Sequence, residues 1–78
     1  MNSTPSQFLL QFGIHLRCLR TQAGLSQESL AETADLDRTY ISLLERGLRN
    51  PTLECLDRLA KSLEVPINEL CRFQNSYE

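Results

Sequence analysis

Arg38, Thr39, Ser42 and Arg46 stand at spacings of i, i+1, i+4 and i+8. A helix over this stretch buries Ile41 and Leu44 and turns those four side chains outward together. Their chemistry suits the edge of a base pair. A guanidinium can donate two hydrogen bonds to O6 and N7 of guanine, and Thr and Ser hydroxyls can bond several bases. The plainer alternative for this pattern is a solvated helix face. Phosphate-binding candidates flank it. Gln27 opens another predicted helix, where free backbone N–H groups and the positive end of the dipole favour an anion. Arg46, Arg49 and Asn50 follow the outward face closely. Such groups hold a protein in register on a duplex without reading its sequence. Taken singly, each also fits an ordinary surface residue.

Five predicted helices must position these groups. The first runs from about Pro5 to Gln22, with Thr4 as cap and Pro5 at the first helical position. Phe12, Leu16 and Leu19 form its apolar stripe, extended by Phe8 or Leu9, and Gly24 stops it. The second is capped by Ser26 and runs to about Thr33, with Leu30, Ala31 and Ala34 inward. The third is capped by Asp37 and runs to about Arg46, stopped by Gly47. The fourth is capped by Thr52 and runs to about Leu63, with Leu53, Leu56, Ala60 and Leu63 as its stripe and Leu59 beside it. The last spans Pro66 to about Phe73, with Ile67 and Leu70 inward. No strand, repeat or linker is visible. The connection at about Ala34–Leu36 is short enough to force a large crossing angle, which is the helix-turn-helix arrangement, here over about residues 26–46.

The chain has 78 residues and 41% apolar composition. That suits a single compact domain over 1–78 and excludes an intrinsically disordered chain. The net charge of −2 argues against nucleic-acid binding, since domains that bind nucleic acid are often basic. Residues 1–50 hold five Arg against five Asp or Glu, so the acidic excess lies later, and phosphate binding needs only a local basic patch. Met1–Gln11 lacks the basic start and apolar run of a signal peptide. No apolar run approaches the roughly 20 residues of a membrane span. The three cysteines form no C-x-x-C pair, so a reducing cytoplasm suits them, and they read as packing residues rather than a zinc site. His15 reads as a solvated residue. No catalytic constellation is present, so no enzyme, cofactor, metal or small-molecule ligand is expected.

The stretch LRTQAGLSQESLAETADLDRTYISLLERGLRNPTLECLDRLAKSLEVPINEL closely resembles the phage-repressor and Cro class (Xre-like) of helix-turn-helix transcription regulators. The resemblance covers about residues 10–72. GLSQESLA followed by YISLLERG and RNPT is its specific part. Within that class, DRTYIS with RN shortly after looks most like the controller proteins of restriction–modification systems. The resemblance implies a five-helix, lambda-repressor-like all-α fold. It implies base reading by Arg38, Thr39 and Ser42, a backbone or base contact by Gln27, and backbone contacts by Tyr40, Arg46, Arg49 and Asn50. It also implies an ion pair between Arg20 and Glu45; the position of Glu45, four residues after Ile41 at the edge of the buried face, agrees. Two positions depart from the class. Asp35 stands where Gly is usual in the turn, and Asp tolerates the left-handed region better than most residues. Leu43 stands where relatives often carry a polar base-reader, and it can meet a thymine methyl or nothing.

One recognition helix reads only a few base pairs, and members of this class dimerise to place two of them about 34 Å apart. A homodimer on double-stranded DNA is therefore expected, through about residues 60–78. Leu63, Ile67, Leu70 and Phe73 are its candidate interface, with Cys71 and Tyr77 nearby; the plainer alternative is that these residues seal the monomer core. The functional expectation is a regulator on a pseudo-palindromic operator, a controller acting on its own promoter. The competing readings are a phage-type repressor and an antitoxin-like interaction module of the same fold.

Overall fold

Four short polar side chains start the helices of this chain. The structure is a computed structural model that describes residues 6–73. The Oγ of Ser6 accepts from the Leu9 N–H at 3.2 Å, Ser26 Oγ from Ser29 at 3.0 Å, Asp37 Oδ1 from Thr39 at 3.1 Å and Thr52 Oγ1 from Cys55 at 3.1 Å. Each satisfies an amide that the first turn leaves without an intrahelical partner. The helices they cap are α1 (Gln7–Gln22), α2 (Gln27–Ala34), α3 (Arg38–Glu45) and α4 (Leu53–Leu63); a fifth, α5 (Ile67–Leu70), follows Pro66 without a side-chain cap. Ser6, two residues inside the expected Thr4, is the cap of α1; Thr4 and Pro5 lie outside the described residues.

Asp35 ends α2 in the left-handed region, at φ 59° and ψ 48°. Its amide bonds to the carbonyls of Ala31 and Glu32, and Leu36 N–H returns to Ala31 O at 2.8 Å. Those bonds reverse the chain within Asp35–Asp37 and drop Leu36 onto the core. Glu64 ends α4 in the same conformation, at φ 60°, which nothing in the sequence pattern foretold.

Leu16, Leu30, Ile41, Leu44, Leu59 and Leu70 form a centre with no solvent exposure, drawn from all five helices. Full burial of such a side chain contributes about 1.5–3 kcal/mol each. α1 reaches this centre by an unusually close approach. A Cβ on Gly13 would lie 2.5 Å from the carbonyl oxygens of both Leu44 and Glu45, so only glycine lets α1 rest against the end of α3.

Several expectations need correction. α5 is one turn, Ile67–Leu70, because Cys71–Phe73 leaves helical geometry. Ile67 is 40% exposed and Leu53 77% exposed, not inward. Both sit on the first residue of their helices, where the side chain has no preceding turn to cover it. Leu63 and Leu70 are buried inside the monomer at 6% and 0% exposure, so neither offers a surface to a partner, which corrects two members of the expected interface. Phe73 has an intramolecular home: its ring lies 5.2 Å from Phe8 and 6.0 Å from both Phe12 and His15, between centroids. His15 is not solvated. It is half-buried, and its Nε2 meets the Glu69 carbonyl at 2.8 Å, tying α1 to α5. Tyr77 lies outside the described residues.

Candidate nucleic-acid interface

The outward face of α3 is built by contrast with its inward one. Ile41, Leu44 and Glu45 are buried, while Arg38 and Thr39 at the start and Arg46 at the end are exposed. Ser42 and Leu43 are half-buried at the edge between the two faces. Asp37 caps the helix through the Thr39 amide and leaves the Thr39 hydroxyl free of that role. The result is a short helix whose first turn presents a guanidinium and a hydroxyl to solvent, with a second guanidinium one helix length away.

Beneath that face lies a buried ion pair. Arg20 on α1 grips Glu45 on α3 with two parallel bonds, Nε to Oε2 at 2.6 Å and Nη2 to Oε1 at 3.1 Å. The two side chains are 11% and 4% exposed. Arg20 Nη1 also donates to Leu25 O at 2.9 Å, which pins the loop that leads into α2. The hydrogen bond to Glu45 raises the Arg20 pKa above its ordinary value against the opposing cost of burial. Among the described residues, no buried side-chain nitrogen or oxygen lacks a partner.

Gln27 joins this pair to the outer face. Its Nε2 donates to Glu45 Oε1 at 3.0 Å, and its Oε1 accepts from Arg38 Nη1 at 3.4 Å. Arg20 and Glu45, expected as a pair, and Gln27 and Arg38, expected for other reasons, thus form one connected chain. The Gln27 link was not foreseen. The only signal for it was an amide, able both to donate and to accept, set at a helix start near a carboxylate.

The other candidates stand apart from that chain. Arg46, Arg49 and Asn50 are exposed beyond the end of α3. Arg49 Nη1 bonds the neighbouring Leu48 carbonyl at 2.9 Å and keeps the rest of its guanidinium outward. Tyr40 is half-buried against the core, and its hydroxyl faces the Cys55 thiol. Burial first, and the thiol second, push the Tyr40 pKa up; burial likewise pushes up that of Cys55. Arg58 is an unforeseen addition: its Nη1 donates to the Asp35 carbonyl at 3.3 Å and braces the helix-turn-helix turn from α4.

The helix-turn-helix family matches residues 16–70, more than half of the chain. The chain belongs to the helix-turn-helix family. It is 43% identical over 65 residues to control protein C.BamHI of Bacillus amyloliquefaciens, spanning 82% of this chain and 80% of that protein. It is 44% identical over 62 residues to control protein C.MunI of a Mycoplasma species, spanning 78% and 84%. Among solved structures, this helix-turn-helix protein is similar to the restriction–modification controller protein C.AhdI from Aeromonas hydrophila, with a TM-score of 0.78 and 48% identity over 80% of this chain and 94% of that one. It is also similar to C.Esp1396I bound to a 25 base pair operator site, with a TM-score of 0.74 and 38% identity over 81% and 83%. The expected resemblance to the controllers of restriction–modification systems therefore holds, as does the expected five-helix fold.

Proposed function

We propose that this helix-turn-helix protein is a transcription regulator of the restriction–modification controller kind, and that two copies bind a pseudo-palindromic operator in double-stranded DNA at its own promoter. The observation that carries this reading is the exposed start of α3. Arg38 and Thr39 stand outward on a helix whose opposite side is anchored in the core, and a chain of 38% identity and like fold is known on an operator. Arg38, Thr39 and Ser42 read base edges in the major groove. Arg46, Arg49 and Asn50 contact phosphates, with Gln27 and Tyr40 close to the backbone. Arg20 and Glu45 hold α1, α2 and α3 in the arrangement that presents these groups.

Dimerisation brings the second recognition helix to the next major groove. The remaining apolar surface at the α5 end supports it. Ile67 is exposed there, and Phe73, six residues further on, is half-buried. Binding to the genome places the protein's work in the cytoplasm; no helix among the described residues is long and apolar enough to cross a membrane.

The test is a gel shift with the DNA immediately upstream of the gene. A discrete complex that survives excess unrelated duplex is the expected result. Equal competition by unrelated duplex would overturn sequence-specific binding.

A further inference from the structure

The contacts of Gln27 have a direction imposed from below. An ionised carboxylate only accepts hydrogen bonds, so the side of Gln27 that faces Glu45 must be its NH2 group. The Gln27 carbonyl is then turned the other way, and there it accepts from Arg38, a guanidinium that only donates. Glu45 itself has no freedom to move, because Arg20 holds it through two bonds. The polarity of a buried ion pair is thus carried outward through one amide to an exposed arginine at the first position of α3.

We propose that Glu45 is a positioning residue for sequence readout: it sets the direction of the Gln27 amide, and through Gln27 it holds the Arg38 guanidinium in the pose that meets its base. The inference rests on Arg38 being a base reader, as argued above. It gives Gln27 a role different from a direct phosphate contact. A guanidinium on a free side chain loses rotamer entropy when it settles on a base; one already steered by an acceptor loses less. An amide turned the wrong way would instead present its NH2 group to Arg38 and repel it. In this scheme the ion pair that stabilises the fold also tunes the specificity of the helix it supports.

The experiment is a double-mutant cycle between Gln27→Met and Arg38→Ala, read on DNA. Methionine keeps the length of Gln27 without its polar atoms, and thermal melts establish that each variant is folded. The probe is a duplex recovered by the wild-type protein from a randomised pool, together with its single-base variants. The expected result for Gln27→Met is a loss of about three- to tenfold in discrimination, confined to the base pair at which Arg38→Ala acts. The double variant should discriminate no worse than Arg38→Ala alone. Glu45→Gln, its fold checked by the same melts, should lose discrimination at that same base pair; unchanged discrimination in this variant overturns the role of Glu45. A Gln27→Met effect equal on every duplex, or additive with Arg38→Ala, overturns the relay and leaves Arg38 as a base reader. An Arg38→Ala effect equal on every duplex removes the base-reading assignment itself, and the relay with it.

Discussion

A Cβ on Gly13 would stand 2.5 Å from the main-chain oxygen of Glu45, so helix α1 touches the end of α3 backbone to backbone. In an exposed helix interior, Gly→Ala stabilises by about 1 kcal/mol. Here the sign should reverse, because neither helix backbone can retreat without disturbing the Arg20–Glu45 pair between them. Gly13→Ala should lower stability by about 1–3 kcal/mol, the usual range for overpacking. Urea denaturation measures it; a more stable variant would show that α1 can lift from α3 freely.

Arg20→Ala should destabilise the fold more than it weakens DNA binding by the folded fraction. It leaves the Glu45 carboxylate buried, with Gln27 as its remaining side-chain partner. Removing one partner of a well-buried pair costs about 3–5 kcal/mol. A thermal melt unchanged from wild type would contradict the burial of this pair.

Arg38→Ala and Arg49→Ala should fail in different ways. On the roles proposed above, the first removes a base contact and should relax discrimination at one position, by about 1–3 kcal/mol. The second removes a proposed phosphate contact and should weaken operator and unrelated DNA alike, while lowering the salt slope by about one. Affinities on single-base variants, titrated between roughly 50 and 200 mM salt, separate the two. Swapped behaviour would exchange the roles assigned to these arginines.

Ile67→Ser should shift self-association to higher concentration and leave the monomer folded, since Ile67 is exposed. Phe73→Ala should also cost stability, because its ring packs on Phe8, Phe12 and His15. Sedimentation of the wild type and both variants checks this. A wild type that remains monomeric at high micromolar concentration would remove the proposed interface.

Tyr40 and Cys55 predict how stability responds to alkali. Burial raises both above their ordinary values of 10.0 and 9.0. The unfolded chain therefore releases these protons first as pH rises, and deprotonation favours unfolding. Their contribution is complete below pH 9 and is lost as pH rises through the folded-state values. The variant with Tyr40→Phe and Cys55→Ala should show a shallower alkaline decline, whatever its absolute stability. Parallel declines in wild type and variant would mean that other groups govern that limb.

The sequence by itself determined what is local. Ser26, Asp37 and Thr52 cap the helices predicted for them, because a cap is a bond between residues two or three apart. The helical spacing of Leu30, Ala31, Ile41 and Leu44 assigned the buried faces of α2 and α3 correctly. Asp35 was readable as the turn residue, since few side chains tolerate that backbone. The tertiary structure alone decided what depends on distant neighbours. Leu53 and Ile67 fit an apolar stripe yet stay exposed, because periodicity marks a face but not whether another element covers the first residue of a helix. Leu70 and Phe73 could seal a core or meet a partner, and only the approach of α1 to the α5 end gave Phe73 its ring contacts. The path from Arg20 through Glu45 and Gln27 to Arg38 joins three helices at contacts of 3.4 Å or less. Contacts so short between residues so far apart in the chain exist only once the helices have packed.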